Sequence, residues 1–207
     1  MGQMKTNDKR YVLAVLDTET TGLAEQEWSR VVEIAAVAID GAGAEVSTFQ
    51  SLVMPDLLDI RAEHALRING LARSEIETGP LQACVCRDFY VWARGLAGIT
   101  ASGTLAVPMT AYNLKFDRVM VERMYPLNPH FEWDECLAIR AAKLMGPLGA
   151  LKERIAGDPR EVEGLSWLRP SLVEACAFFG VEQVEPKHRA LSDARSAAKL
   201  KIAMDNF

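Results

Sequence analysis

The sequence predicts a mixed α/β fold in one domain, with a central sheet flanked by helices. Apolar, β-branched segments dominate the first fifty residues, and helical spacing alternates with short apolar strands after Pro55. The chain has 207 residues, of which 49% are hydrophobic, and this is enough for one domain of ordinary size. We assign that domain to residues 11–207 and expect residues 1–10 to form a flexible polar arm.

The first three strands are predicted to form an antiparallel meander. Apolar or alternating patterns cover residues 11–17, 30–40 and 45–53. The segment "DGAG" at 40–43 separates the second pattern from the third, and these residue types favour a hairpin turn.

The remaining chain is predicted to alternate helices with two further strands. Apolar residues at helical spacing, with proline or glycine near the ends, predict helices over 61–71, 81–98, 114–125, 170–180 and 190–204. Residues 105–113 are predicted as a strand that Pro108 enters, and 130–146 as a short strand followed by a helix. Residues 147–166 are expected to form an irregular connection.

Composition excludes several classes of function. The net charge of −5 speaks against a broad basic face for nucleic acid, although metal cations could support one small nucleotide site. The four cysteines lack the spacing of a zinc site and indicate reduced thiols. The polar start of the chain and the absence of a run of about 20 apolar residues predict a cytoplasmic protein without membrane contact.

Two acids lie at the end of the first predicted strand. In "VLAVLDTETTGL", Asp17 and Glu19 follow an apolar run. Side chains two residues apart on an extended chain share a face, so the two carboxylates point the same way and repel each other. Carboxylate oxygens are the preferred ligands of Mg²⁺ and Mn²⁺, which would relieve that repulsion. Taken alone, the pair is equally consistent with a solvated loop entry.

Two later segments carry the other candidate residues. In "AYNLKFDRV", Asn113 ends a predicted strand and Asp117 lies near the first turn of a helix. In "KHRALSDARSAAKL", His188 precedes the last helix and Asp193 lies in its first turn. Each segment alone predicts a helix start, because Asn is a common N-cap and acids favour the first turn.

Together, the three segments resemble the DEDDh branch of the DnaQ-like 3′→5′ exonucleases. "DTETTGL" is similar to the first motif of the family, "NLKFD" to the second and "HRALSDA" to the third, in the family's order. The similarity extends from about Tyr11 to about Met204, and His188 distinguishes this branch from the one that uses tyrosine. The resemblance implies an RNase H-like fold. It also implies metal-dependent hydrolysis of single-stranded nucleic acid, DNA favoured, from the 3′ end to nucleoside 5′-monophosphates.

The resemblance further implies two divalent metal ions, Mg²⁺ or Mn²⁺. Asp17 would bridge both ions. Glu19 and Asp193 would help hold the ion that carries the attacking water, and Asp117 would hold the second ion. His188 would be the general base, because an imidazole group can take up a proton near neutral pH.

Six residues lie where family members contact the 3′ nucleotide: Thr18, Thr20, Leu23, Asn69, Asn113 and Phe116. Asn69, in "INGL", stands where members often carry a histidine, and this contact therefore departs from the family pattern. Phe116 fits the hydrophobic core equally well, and Asn113 could also cap its helix. Basic residues beside the second and third motifs predict a modest phosphate track, comprising Lys115, Arg118, Lys187, Arg189, Arg195 and Lys199, although Lys199 fits a solvated helix face better.

Several alternatives stay open at the level of sequence. One is RNA trimming, as in the RNase T and oligoribonuclease relatives, where the treatment of the 2′-hydroxyl decides. A second is a catalytically silent DEDD-fold binding module, and a third is a hydrolase of small phosphoesters. The partner expected for the favoured function is a single-stranded 3′ end. A polymerase or another replication or repair subunit, with a proofreading role, and a homodimer are further candidates.

Overall fold

The computed structural model describes residues 12–97, 107–125, 131–186 and 188–207, and the arm predicted at 1–10 lies outside them. The strands are β1 Val12–Thr20, β2 Val31–Asp40, β3 Glu45–Leu52, β4 Pro108–Ala111 and β5 Glu132–Trp133. The helices are α1 Glu63–Ile68, α2 Arg73–Glu77, α3 Gln82–Ala97, α4 Leu114–Met124, α5 Leu137–Met145, α6 Leu172–Phe178 and α7 Ala190–Asp205.

The sheet has five strands in the order β3-β2-β1-β4-β5. The first three strands pair antiparallel, as a meander, while β4 and β5 extend the sheet in parallel with β1. This arrangement confirms the predicted fold class, a mixed sheet flanked by helices. In the described part of the chain, no helix is long and apolar enough to cross a membrane.

The first strand is longer than its apolar run. We expected it to end at Asp17, but β1 continues to Thr20. The reason is pairing with β2, because Asp17 lies opposite Ala35 and Glu19 lies opposite Glu33. The two acids therefore belong to a strand and not to a loop entry.

Alternate residues of β1 enter two separate cores. Val12, Ala14 and Leu16 pack with residues of α3 and α4 on one face of the sheet. Leu13 and Val15 pack with residues of α5, α6 and α7 on the other face. This period of two follows from the pleat of a strand and decides where the polar residues after Leu16 point.

Local signals explain how α6 begins and ends, and α7 follows it. Ser171 caps α6 by accepting the N–H of Glu174, whose carboxylate in turn accepts the N–H of Ser171. Gly180, with a φ of 67°, follows the end of α6. The last helix, α7, then lies against β1 and β2 and brings its first turn to the end of β1.

Candidate active site

The acids and threonines of β1 point to opposite faces of the sheet. Asp17 and Glu19 lie on the α7 face, where Asp193 is their neighbour. Thr18 lies on the α4 face, where its partner is Asp117. The pleat of one strand thus assembles acids from two helices around its end.

Three carboxylates converge on the α7 face. One carboxylate oxygen from each of Asp17, Glu19 and Asp193 lies within 4.8 Å of the others. Burial, followed by the charges of Asp117 and Glu19, raises the pKa of Asp17 well above its usual value. Burial, followed by the charge of Asp193, raises the pKa of Glu19 to about 8. Such a group requires protons or a cation, and its oxygen donors fit a divalent cation.

Asp117 stands beside this group and is held from the other face. The backbone N–H and the Oγ1 of Thr18 both donate to Asp117 Oδ1, at 3.1 and 2.8 Å. Burial raises the pKa of Asp117 to about 7, although the two hydrogen bonds from Thr18 oppose the shift. Both donors of Thr18 are therefore directed at Asp117, which makes Thr18 the residue that orients this acid.

His188 lies at the rim of the acid group on an irregular backbone. Its φ of 58° falls in the left-handed region, which residues other than glycine seldom adopt. Its backbone N–H donates to Asp193 Oδ2 at 3.2 Å, and the residue is exposed. The structure thus brings together Asp17, Glu19 and Asp193, with Asp117 and His188 adjoining them.

A buried ion pair supports this rim, and sequence reasoning missed it. Glu33 is 0% exposed and lies on β2 opposite Glu19. Arg189 Nε and Nη2 donate to the two carboxylate oxygens of Glu33 at 2.9 and 3.0 Å. The N–H of Ala190 and the side-chain amide of Gln50 also donate to the Glu33 carboxylate, at 3.2 and 2.9 Å. A lone glutamate within "RVVEIAAVAID" was the available signal, because a charge in a buried strand needs a partner.

The low pKa of Glu33 indicates that its hydrogen bonds outweigh the unfavourable burial of its charge. Burial by itself would raise the value, but the hydrogen bonds from Arg189, Gln50 and Ala190 more than offset it and hold the pKa below its usual range. Glu33 is therefore an anion that anchors Arg189 and the first turn of α7. Since Arg189 directly follows His188, the ion pair also fixes the chain next to the histidine.

The predicted phosphate track is largely occupied within the protein. Besides Arg189, Arg195 pairs with Glu45, and Arg118 pairs with Glu122. Lys187 lies outside the described residues. Each of these arginines would have to leave its carboxylate to bind a phosphate, and the phosphate track stays a prediction.

The predicted substrate contacts near β1 form a turn at its end. Thr20 Oγ1 donates to the carbonyl of Gly22 at 2.8 Å. Asn69 is buried, and its Nδ2 donates to the carbonyl of Thr20 at 3.2 Å, which ties the end of α1 to β1. Leu23 is 63% exposed and offers an apolar surface beside the turn.

The predicted contacts on the second motif have different environments. Asn113 makes no side-chain cap; its carbonyl accepts the N–H groups of Phe116 and Asp117, and the capping prediction is wrong. Its Oδ1 instead accepts a hydrogen bond from Arg169 Nη1. Phe116 is partly buried and packs against the core shared by α3 and α4.

A mixed sheet with acids gathered at the end of its central strand is typical of the RNase H-like fold class. The chain belongs to the RNase T exonuclease family, because the model of that family, described as an exonuclease, matches residues 14–201. No curated protein sequence matches the chain significantly.

Solved structures share the fold. Cell-death related nuclease 4 (CRN-4) is similar with a TM-score of 0.68 at 18% identity, over 94% of this chain and 64% of that one. Exonuclease I is similar with a TM-score of 0.65 at 18% identity, over 95% and 41% of the two chains. Exonuclease I of E. coli in complex with a dA16 oligonucleotide is similar with a TM-score of 0.66 at 16% identity, over 95% of this chain and 41% of that one. The chain therefore spans less than two thirds of the length of these proteins.

Proposed function

We propose that this protein is a metal-dependent 3′→5′ exonuclease that hydrolyses single-stranded nucleic acid, DNA favoured, to nucleoside 5′-monophosphates. The observation that carries the proposal is the convergence of the Asp17, Glu19 and Asp193 carboxylates within 4.8 Å. Membership of the exonuclease family supports phosphodiester hydrolysis. The oligonucleotide-bound E. coli exonuclease I, which has the same fold, supports a single-stranded substrate.

The acid group suits two divalent cations, Mg²⁺ or Mn²⁺. Asp17, Glu19 and Asp193 would hold one cation, and Asp117 would hold the second together with Asp17. The oxygen-only donor set matches the ligand preference of these ions, and their charge would offset the repulsion that raises the pKa of Asp17 and Glu19. Bound cations supply charge neutralisation at the phosphate and a more acidic water.

The side chains of this protein then have separate tasks. His188 takes a proton from the attacking water; its exposed side chain at the rim is free to approach that water. Asp193 holds the backbone N–H of His188, and Thr18 orients Asp117. The ion pair between Glu33 and Arg189 keeps the start of α7 in place.

The substrate would be held by its sugar, phosphates and terminal base. Leu23, exposed beyond β1, is suited to pack against the terminal base. Such contacts do not distinguish base edges, and we expect little sequence specificity. The four cysteines are free thiols, which supports a reducing compartment and hence the cytoplasm.

The test uses 5′-labelled DNA and RNA oligomers of matched sequence with Mg²⁺ or Mn²⁺. DNA should shorten from its 3′ end faster than RNA, and EDTA should stop the reaction. Asp193→Asn should abolish shortening. The control Asp88→Asn, which removes an exposed acid paired with Arg87, should retain it.

Three outcomes would redirect the proposal. Faster shortening of RNA would replace the DNA preference with RNA trimming. Tight binding of both oligomers without cleavage would indicate a silent binding module. Cleavage of a free dinucleotide but of no oligomer would indicate a hydrolase of small phosphoesters.

A further inference from the structure

Arg169 lies beside the second motif with its positive charge unpaired. Its Nη1 donates to Oδ1 of Asn113, which is a neutral acceptor. Within the described residues, no carboxylate lies within salt-bridge distance of Arg169, whereas Arg160 in the same connection pairs with Asp158. A half-buried arginine without an anion is a candidate for binding one from outside the protein.

The position of Asn113 places Arg169 at the edge of the acid group. Ala111 of β4 pairs in parallel with Leu16 of β1. The strand ends there, and two residues later the carbonyl of Asn113 accepts the N–H of Asp117 at 3.2 Å, which places Asn113 one helical turn before this acid. The guanidinium of Arg169, which donates to Asn113, thus lies on the Asp117 side of the acid group.

The backbone around Arg169 is fixed by three contacts. The N–H of Arg169 donates to the carbonyl of Arg160 at 3.0 Å. The hydroxyl of Tyr112 donates to the carbonyl of Pro170 at 2.8 Å, and Ser171 caps α6. A side chain on such a backbone, already held at Nη1, loses little freedom when it binds a ligand.

We propose that Arg169 binds a backbone phosphate of the nucleic acid, next to the scissile phosphate and not at it. This inference rests on the proposed function. With Nη1 bound to Asn113, the Nε and Nη2 donors have no other partner in the described residues and can reach the oxygens of one phosphate. Arg189, Arg195 and Arg118 already pair with carboxylates of the protein, whereas the partner of Arg169 is neutral.

The salt dependence of kcat/KM on a 5′-labelled single-stranded DNA tests the inference. Each phosphate contact on a single strand adds about 0.7 to the slope of log affinity against log salt. Arg169→Gln should raise KM roughly tenfold and lower the slope by about 0.7. Arg169→Lys keeps the charge without the planar fork, and it should raise KM less and retain the wild-type slope.

Arg94→Gln is the matched control, because Arg94 lies over the ring of Tyr90 on α3 and also has no carboxylate partner in the described chain. It should leave both KM and slope unchanged. A wild-type slope for Arg169→Gln, or an equal decrease for Arg94→Gln, would overturn the inference. A wild-type protein that does not cleave DNA would contradict the proposed function itself. The slopes would then be measured from Kd by fluorescence anisotropy, which still tests Arg169.

Discussion

Asp17 and Glu19 reach the candidate site from a paired strand, whereas His188 reaches it from an irregular backbone. At the acids, β1 is bonded to β2, and β4 pairs with the residues just before them. His188 has a φ of 58°, is exposed, and is held through its N–H and the residue that follows. Acids that share cations need a fixed mutual geometry. A base must instead approach a water whose position depends on the substrate, and the exposed position of His188 permits that approach.

Asp17→Asn should have the largest effect, because it removes the central acid of the group on β1. We expect activity to fall by at least about a thousandfold, since charge stabilisation by bound cations contributes several kcal/mol. The metal-free protein should become more stable, because one repelling carboxylate is lost. Activity assays, with thermal unfolding in EDTA and in Mn²⁺, measure both effects. A variant that Mn²⁺ stabilises as much as the wild type would show that Asp17 holds no metal.

His188→Ala should remove the proton acceptor and leave the acid group intact. Activity should fall by about 10²- to 10⁴-fold, the usual contribution of general base catalysis. The stabilisation by Mn²⁺ should equal that of the wild type, which distinguishes this variant from Asp17→Asn. His64→Ala, at an exposed histidine of α1, is the control and should stay active. If His188→Ala lost the Mn²⁺ effect as well, the histidine would belong to the metal site.

Glu33→Gln tests how the acids of β1 are linked to the segment that carries His188. The change keeps the shape of the side chain but removes the charge that holds Arg189. We expect kcat to fall about 10- to 100-fold, as for other residues that position a ligand or base, with KM nearly unchanged. Glu45→Gln breaks the exposed pair between β3 and Arg195 of α7, and it should change kcat little.

A double variant decides whether Glu33 acts through His188. If it does, Glu33→Gln should lower kcat by a much smaller factor in the His188→Ala background than in the wild type. Independent and additive losses would show that Glu33 acts through the acids or through the general stability of the fold. Thermal unfolding of each variant would separate these two explanations.

The sequence was sufficient for features that depend on local pattern. The meander follows from strand periodicity and the turn at 40–43, and the acids of β1 follow from their spacing of two. The extension of β1 to Thr20 was missed, because the polar residues after Leu16 have no strand pattern of their own. Pairing with β2 maintains the strand there.

Contacts between distant residues were beyond a local pattern. Glu33 and Arg189 are 156 positions apart, and Asn113 and Arg169 are 56 positions apart. Arg189 therefore looked like a phosphate ligand, while Arg169 did not stand out from the other charges of an irregular connection. Only the fold decides which arginine is neutralised by the protein and which retains its charge.

The smallest effect expected is the pH dependence of stability in the metal-free protein. Burial, and then the charge of Asp193, raises the pKa of Glu19 from 4.5 to about 8. The folded protein therefore keeps a proton that the unfolded chain releases, and stability should fall as the pH rises from about 4.5 to about 8. Glu19→Gln removes this loss, and it should unfold at least about 2–4 °C above the wild type at about pH 8.5 in EDTA.

The same experiment tests whether the acids of β1 are buried and repel one another, in contrast to the exposed His188. The gain of Glu19→Gln should shrink towards about pH 5, where the wild-type Glu19 carries its proton, and it should shrink at pH 8.5 when Mn²⁺ is added to the wild type. Glu25→Gln, at an exposed glutamate beyond β1, should show neither change. A metal-free wild type whose stability relative to Glu19→Gln does not vary with pH would mean that the acid group is solvated. The strand would then lack the buried repulsion that distinguishes it from the rim at His188.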